Sequence, residues 1–156
     1  GTNSATFQPN GQFRLLNNIS STSYTTGQLV VTGGIGVSGN VYINDHMYAI
    51  AKSFLIDHPS KPDYKLQYTC LEGPENGVYV RGKVQNDNKI ELPDYWTNLV
   101  DEQTITVDLT PIGRYQELYI EKIENNTVYI GSSGSFFYTV WAERKDIEKL
   151  KVEYPN

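Results

Sequence analysis

LEGPENGVYVRG, residues 71–82, packs a turn and the start of a strand into one short run. Gly73-Pro74 and Asn76-Gly77 are turn dipeptides: proline presets φ, and Asn and Gly tolerate left-handed backbone. Val78, Tyr79 and Val80, continued by Lys83 and Val84, have the β-branched and aromatic composition of a pleated, half-buried strand. A bend feeding straight into a strand is the repeating unit of an antiparallel sheet. Glu72 and Glu75 fall on the bend and Arg81 on the strand behind it, so Arg81 is expected to pin the loop to its own strand as an ion pair.

The same grammar continues on both sides. Upstream, Ser53–Ile56 reads as a strand closed by Asp57-His58-Pro59, because the residue before proline is held extended, and Leu66–Cys70 as another. Downstream, Gln85-Asn86-Asp87-Asn88 reads as a hairpin turn leading to Ile90 and Leu92. Asp94 is placed to cap one helical turn that brings Tyr95, Trp96, Leu99 and Val100 inward. Thr104–Thr110 alternates with Ile105, Val107 and Leu109 on one face. Leu118, Ile120 and Ile123, then Val128 and Ile130, make a hairpin across Asn125-Asn126. Phe136–Arg144 is the most apolar strand, and Leu150–Tyr154 reads as the last. Strands at this spacing with almost no helical period predict an antiparallel sandwich or barrel-like domain over residues 51–156.

Residues 1–50 differ. Residues 1–27 are rich in Asn, Ser, Thr and Gly, and little independent structure is expected there. Over residues 25–50, TTGQLVVTGGIGVSGNVYINDHMYAI, short apolar pieces such as Gln28–Thr32 and Asn40–Ile43 are cut every few residues by Gly33-Gly34, Gly36, Gly39 and Asn44-Asp45. Each piece is too short to be a stable sheet alone. Composition admits both a Gly-rich meander inside one domain and a stalk whose core is shared between chains.

Hydrophobic residues make up 38 %, below the roughly 45–50 % of an ordinary domain, so the core is thin or is completed by other copies. Tyrosine, at 12 residues, carries much of the apolar area while keeping a hydroxyl for water or a partner. The net charge of −5 and the interleaving of Lys145, Lys149 and Lys151 with Asp146, Glu148 and Glu153 argue against nucleic acid or an anionic membrane as partner. No apolar run is long enough for membrane insertion as a helix, and the start lacks the basic-then-apolar order of a signal peptide. Cys70 is the only cysteine, which excludes an intrachain disulfide and a cysteine-built metal site and fits synthesis in a reducing cytoplasm. The Gly1-Thr2 start reads as a cut from a longer chain, and the polar Pro155-Asn156 ending as a natural terminus.

Chemistry-bearing residues are few. Asp57, His58 and Cys70 are the only set that can be drawn as orienter, base and nucleophile, but Asp57 and His58 as strand neighbours project to opposite faces and Cys70 ends an apolar strand. His46 and His58, twelve residues apart, have no third ligand nearby, so one chain is not expected to hold a metal, although a threefold axis could collect three copies of one His or Asp. Gly33–Gly39 is followed by strand-like residues rather than a helix, which excludes a phosphate loop. Two carboxylates in a cleft would suit a glycan hydrolase, and Glu72 and Glu75 are the nearest candidates. We expect no enzymatic activity and no cofactor.

Taken together, AKSFLIDHPSKP (residues 51–62), LEGPENGVYVRG, ELPDYW (91–96), TPIG (110–113) and AERKDIEKLKVEY (142–154) resemble a module at or near the C-terminus of tail-fibre-like virion proteins in tailed phages, especially marine T-even-like phages of cyanobacteria. Related modules occur in fibre-like proteins of large DNA viruses. Residues 25–50 likewise resemble the TGxLxVxGGxGVxGN repeat of phage tail fibres, in which three chains wind together. The resemblance implies an all-β homotrimer: a Gly-punctuated, intertwined short-strand stalk over residues 1–50 with Val31, Ile35, Val37, Val41 and Ile43 between chains, followed by the β domain. His58, Pro59, Glu72, Gly73, Pro74, Glu75 and Arg81 are its structural signature. It implies a virion protein that joins other fibre segments and contributes to host attachment through a surface glycan or protein receptor; the alternative is a connector with no receptor. Tyr115, Tyr119, Tyr129, Tyr138, Trp96 and Trp141 are the aromatic candidates for glycan contact. The self-cleaving Ser/Lys chaperone segment that ends many fibre proteins does not occur within residues 1–156.

Overall fold

A computed structural model describes residues 5–16 and 19–155. The chain divides into two compact units, residues 1–48 and 49–156. The fold is all-β, with every strand pair antiparallel.

In the first unit, β1 (Ala5–Phe7) and β2 (Phe13–Leu15) form a small hairpin where little independent structure was expected. Phe7 and Phe13, directly opposite in register, hold it with their rings 4.8 Å apart. Residues 21–26 curl into a knot of hydroxyl contacts in which Thr26 Oγ1 accepts the amides of Thr22 and Ser23 at 2.8 and 2.9 Å. The strands expected at Gln28–Thr32 and Asn40–Ile43 do not form in the single chain. Glycines cut these pieces too short to pair with one another, and Val31, Ile35, Val37, Val41 and Ile43 stand 41–67 % exposed.

The second unit is built on β8, Thr127–Glu143, which runs unbroken for 17 residues. One edge of β8 takes β5 (Gly77–Glu91) along its whole length, from Gly77 opposite Glu143 to Glu91 opposite Thr127. The other edge takes β6 (Thr106–Pro111) on its later half and β7 (Ile120–Glu124) on its first residues. Even-numbered positions of β8 face inward: Val128, Ile130, Phe136, Val140 and Ala142 are buried, and Val78, Val84 and Ile90 of β5 join them. The second layer is a hairpin, β3 (Ser53–Asp57) with β4 (Lys65–Thr69), and the single-turn helix α1 (Trp96–Leu99). Phe54, Ile56, Leu66 and Tyr68 of the hairpin pack on the core, and Trp96, Leu99 and Val100 are fully inside it, as the sequence predicts. Among the described residues no helix is long and apolar enough to cross a membrane.

Three local expectations fail for identifiable reasons. Gln85–Asn88 is not a turn: β5 continues through it and absorbs the extra residues as a bulge, with Asn86 at φ 52° and its amide donated to Ser135 Oγ at 3.2 Å. Asp94 does not cap α1 with its side chain; its carbonyl instead accepts the Thr97 hydroxyl at 2.7 Å. Leu150–Tyr154 alternates but finds no strand to pair with, leaving Leu150, Val152 and Tyr154 exposed.

The β7–β8 turn is realised as read. Asn125 and Asn126 both adopt positive φ, 50° and 58°, the left-handed pair that matches strand twist in a two-residue hairpin. Asn126 has a second task, donating its side-chain amide to the carbonyls of Leu92 and Pro93 at 2.9 and 3.0 Å. Asn125→Gly is therefore expected to change stability by no more than about 0.5 kcal/mol, because glycine adopts this φ freely. Asn126→Gly, with equally permissive backbone, is expected to cost about 1–2 kcal/mol through the two lost bonds. Equal midpoints for the two variants in urea would show that the side-chain bridge adds nothing.

Candidate functional site

The segments around His58-Pro59 and Tyr95-Trp96, far apart in the chain, meet at α1. His58 closes β3 by accepting the amides of Ser60 and Lys61 on Nδ1 at 3.1 and 3.0 Å, and its ring meets the edge of Tyr95 at 5.3 Å. Asn98 reaches back to the same turn, donating to the Pro59 carbonyl at 3.4 Å and to Ser60 Oγ at 3.1 Å. The Tyr68 and Tyr95 hydroxyls meet at 2.8 Å, and Trp96 Nε1 donates to Tyr68 at 3.4 Å. Burial, then the hydrogen bond with Tyr68, pushes the Tyr95 phenol well above its ordinary range.

The bend at residues 71–77 joins the segment after β8. Asn76 accepts the Arg144 amide on its carbonyl at 2.9 Å and donates its side chain to the Glu148 carbonyl at 3.1 Å. Lys145 completes the link, its amide to the Leu99 carbonyl and its ammonium to the Thr97 carbonyl. Glu143, buried at the end of β8, takes Lys149 at 3.0 Å, and that contact holds the Lys149 ammonium above its usual pKa.

The expected pairing of Arg81 with Glu72 or Glu75 is not formed. Glu72 pairs with Lys52, Gly73, Pro74 and Glu75 lie exposed on the bend, and Arg81 points away from it with no ion pair among the described residues. Arg144, which sequence reading passed over, is the buried arginine. It is 7 % exposed, donates to both oxygens of Asp146 at 2.9 and 2.7 Å, and lies 4.1 Å from the ring centre of Phe54. Asp57 and His58 are likewise committed elsewhere, Asp57 to Lys65 and His58 to the turn amides, while Cys70 is a half-buried free thiol. His46 is exposed, bonded to Asp45 and stacked on Tyr48.

The outer face of the sheet presents a second set of polar and aromatic side chains. Odd-numbered positions of β8 point away from the core, and the register aligns them in rows across three strands. One row is Thr106, Trp141 and Tyr79; the next is Asp108, Thr139 and Arg81; the third is Thr110, Phe137 and Lys83. Trp141 Nε1 donates to Asp108 Oδ2 at 3.0 Å, and its ring lies 4.9 Å from that of Tyr79. Farther along, Tyr129 is flanked by Lys89 and Lys122 at 5.6 and 4.9 Å.

Of the six aromatic candidates, Trp96 is core, and Tyr138 and Tyr119 lie over Gly82 and Gly131, where a Cβ would strike their rings. Tyr115 is exposed, and Trp141 and Tyr129 are on the outer face. Tyr79 and Phe137 were not singled out, although the parity of their strands carried the signal. No family model matches the chain, and neither the curated proteins nor the solved structures give a match.

Proposed function

We propose that the chain is a non-catalytic module of a trimeric virion fibre that contributes to host attachment. The observation that carries this reading lies in residues 29–43. Gly33, Gly34, Gly36 and Gly39 have open space where a Cβ would project, and none has a positive φ. Neither a close contact within the chain nor a left-handed backbone accounts for them, whereas close approach of neighbouring chains does. The apolar side chains between them, Val31, Ile35, Val37, Val41 and Ile43, are uncovered in one chain and would be covered together around a threefold axis. Burying each would contribute roughly 1.5–3 kcal/mol, enough in sum to hold three chains.

Light scattering of the intact chain is expected to give three times 17.6 kDa. Val31→Asp together with Val37→Asp should return the mass of one chain, because three carboxylates cannot share a dry axis. A monomeric parent at micromolar concentration would overturn the fibre reading. A trimer that neither binds host surfaces nor blocks phage adsorption would reduce the role to a connector.

A further inference from the structure

The outer face of the sheet presents a cluster of aromatic and charged side chains turned away from the core. We infer that it binds an acidic polysaccharide, a glycan chain carrying carboxylates, with Trp141 and Tyr79 as the stacking surface and Arg81 and Lys83 as the anion-binding pair. This deepens the attachment reading and rests on it for its biological sense, while the binding itself belongs to the second unit alone.

Charge is the first argument. The chain carries a net −5, and Lys52, Lys65, Lys122, Arg144 and Lys149 are each paired with a carboxylate. Arg81 and Lys83, side by side on the outer face of β5, have no such partner among the described residues. The one carboxylate in their rows, Asp108, is taken by the Trp141 indole. Two adjacent cations without a carboxylate partner complement an anion, and a guanidinium fork matches a carboxylate in a bidentate bond.

Preset aromatic geometry is the second. The bond to Asp108 and the contact with Tyr79 fix the Trp141 ring while leaving it 37 % exposed, so stacking a sugar costs little side-chain freedom. The spaces between the rings hold Thr106, Thr139 and Thr110, together with the charges, and no aliphatic side chain. Hydroxyls and charges hydrogen-bond a sugar rim, whereas an apolar protein contact would have to desolvate them. Phe137, four residues from Trp141 on the same face and 53 % exposed, stands about 13 Å away along β8. The ligand therefore spans several sugar rings. A shallow, open depression of about 490 Å³ lies over Arg81–Lys83 and Phe137–Thr139.

The test is calorimetric titration of the intact chain with oligomers of polygalacturonate, alginate and hyaluronate, and with neutral malto-oligosaccharides of equal length. Binding is expected for at least one acidic oligomer, weakening at least ~tenfold between low and high salt as charge screening grows. The neutral oligomers should give no heat. Arg81→Glu with Lys83→Glu should abolish binding with an unchanged melting temperature, since neither side chain has a partner to lose. Trp141→Ala should weaken it ~tenfold, a typical cost of removing an aromatic anchor. No heat from any acidic oligomer, equal binding of the neutral ones, or undiminished binding by the double variant would each overturn the inference. A double variant whose mass falls below the parent's would overturn it too and assign the face to contact between copies. A trimer that binds no acidic oligomer loses this inference and keeps the fibre reading; a monomer that binds keeps it and loses the other.

Discussion

Replacing Trp96 with alanine is expected to cost the second unit about 3–5 kcal/mol, the range for deleting a fully buried aromatic side chain whose surroundings cannot collapse. Trp96 has no exposed surface and sits where α1 meets β4 and the turn that follows β3. Tyr68 of β4 reaches its Nε1, Tyr95 beside it holds His58, Asn98 two residues on holds the Pro59 turn, and the Val100 amide bonds its carbonyl. A cavity there unseats the β3–β4 hairpin from the sheet as well as losing apolar contact. Trp96→Phe should recover most of the loss, because the bond to Tyr68 is long at 3.4 Å and packing is the larger part. Chemical unfolding followed by far-ultraviolet circular dichroism checks both, and a Trp96→Ala cost under about 1 kcal/mol would show that α1 is not the joint.

The second large effect is asymmetric. Asp146→Ala is expected to cost about 3 kcal/mol, because it strips the anion from a guanidinium that is almost wholly inside the protein. Arg144→Met should cost distinctly less, about 1 kcal/mol, since a long apolar side chain keeps contact with Phe54 and no buried charge is left behind. The Asp146 side chain is already 26 % exposed and turns to water when released. Equal losses in the two variants would mean that the pair acts through its geometry and not through desolvation.

Elements whose signals are local were legible in the sequence. The Asn125-Asn126 turn, the inward Trp96, Leu99 and Val100, and the alternation of Val107 and Leu109 all follow from residues within one turn or strand. What was hidden is set by partners distant in sequence. Asn86 and its neighbours suit a turn and a bulge equally well, and the unbroken β8 decides between them, because it pairs with β5 on both sides of the run. Arg81 sat nearest Glu72 and Glu75 in sequence, yet strand parity turns it outward while Arg144 arrives under β3 from beyond the last strand. Leu150–Tyr154 has strand periodicity, but alternation specifies a face and not a neighbour. The outer-face rows were half visible for the same reason: the parity of Tyr79, Arg81 and Lys83 can be read in β5, whereas their alignment with Trp141 and Asp108 exists only once the register is known.

The length and position of β8 also fix an order of events during synthesis. β5 is complete at Glu91, but the strand that pairs with all of it ends at Glu143, about 50 residues later, or roughly 3–10 s at the usual pace of a ribosome. Through that interval a 15-residue strand bearing Val78, Val84 and Ile90 has no sheet to join. The β7–β8 hairpin can close within microseconds of emerging, so it forms first and offers β5 a ready edge along which to zip. A chain that stalls or is cut before Thr127 is thus left with neither core nor seam, and with a long apolar strand open to any other unfinished copy nearby.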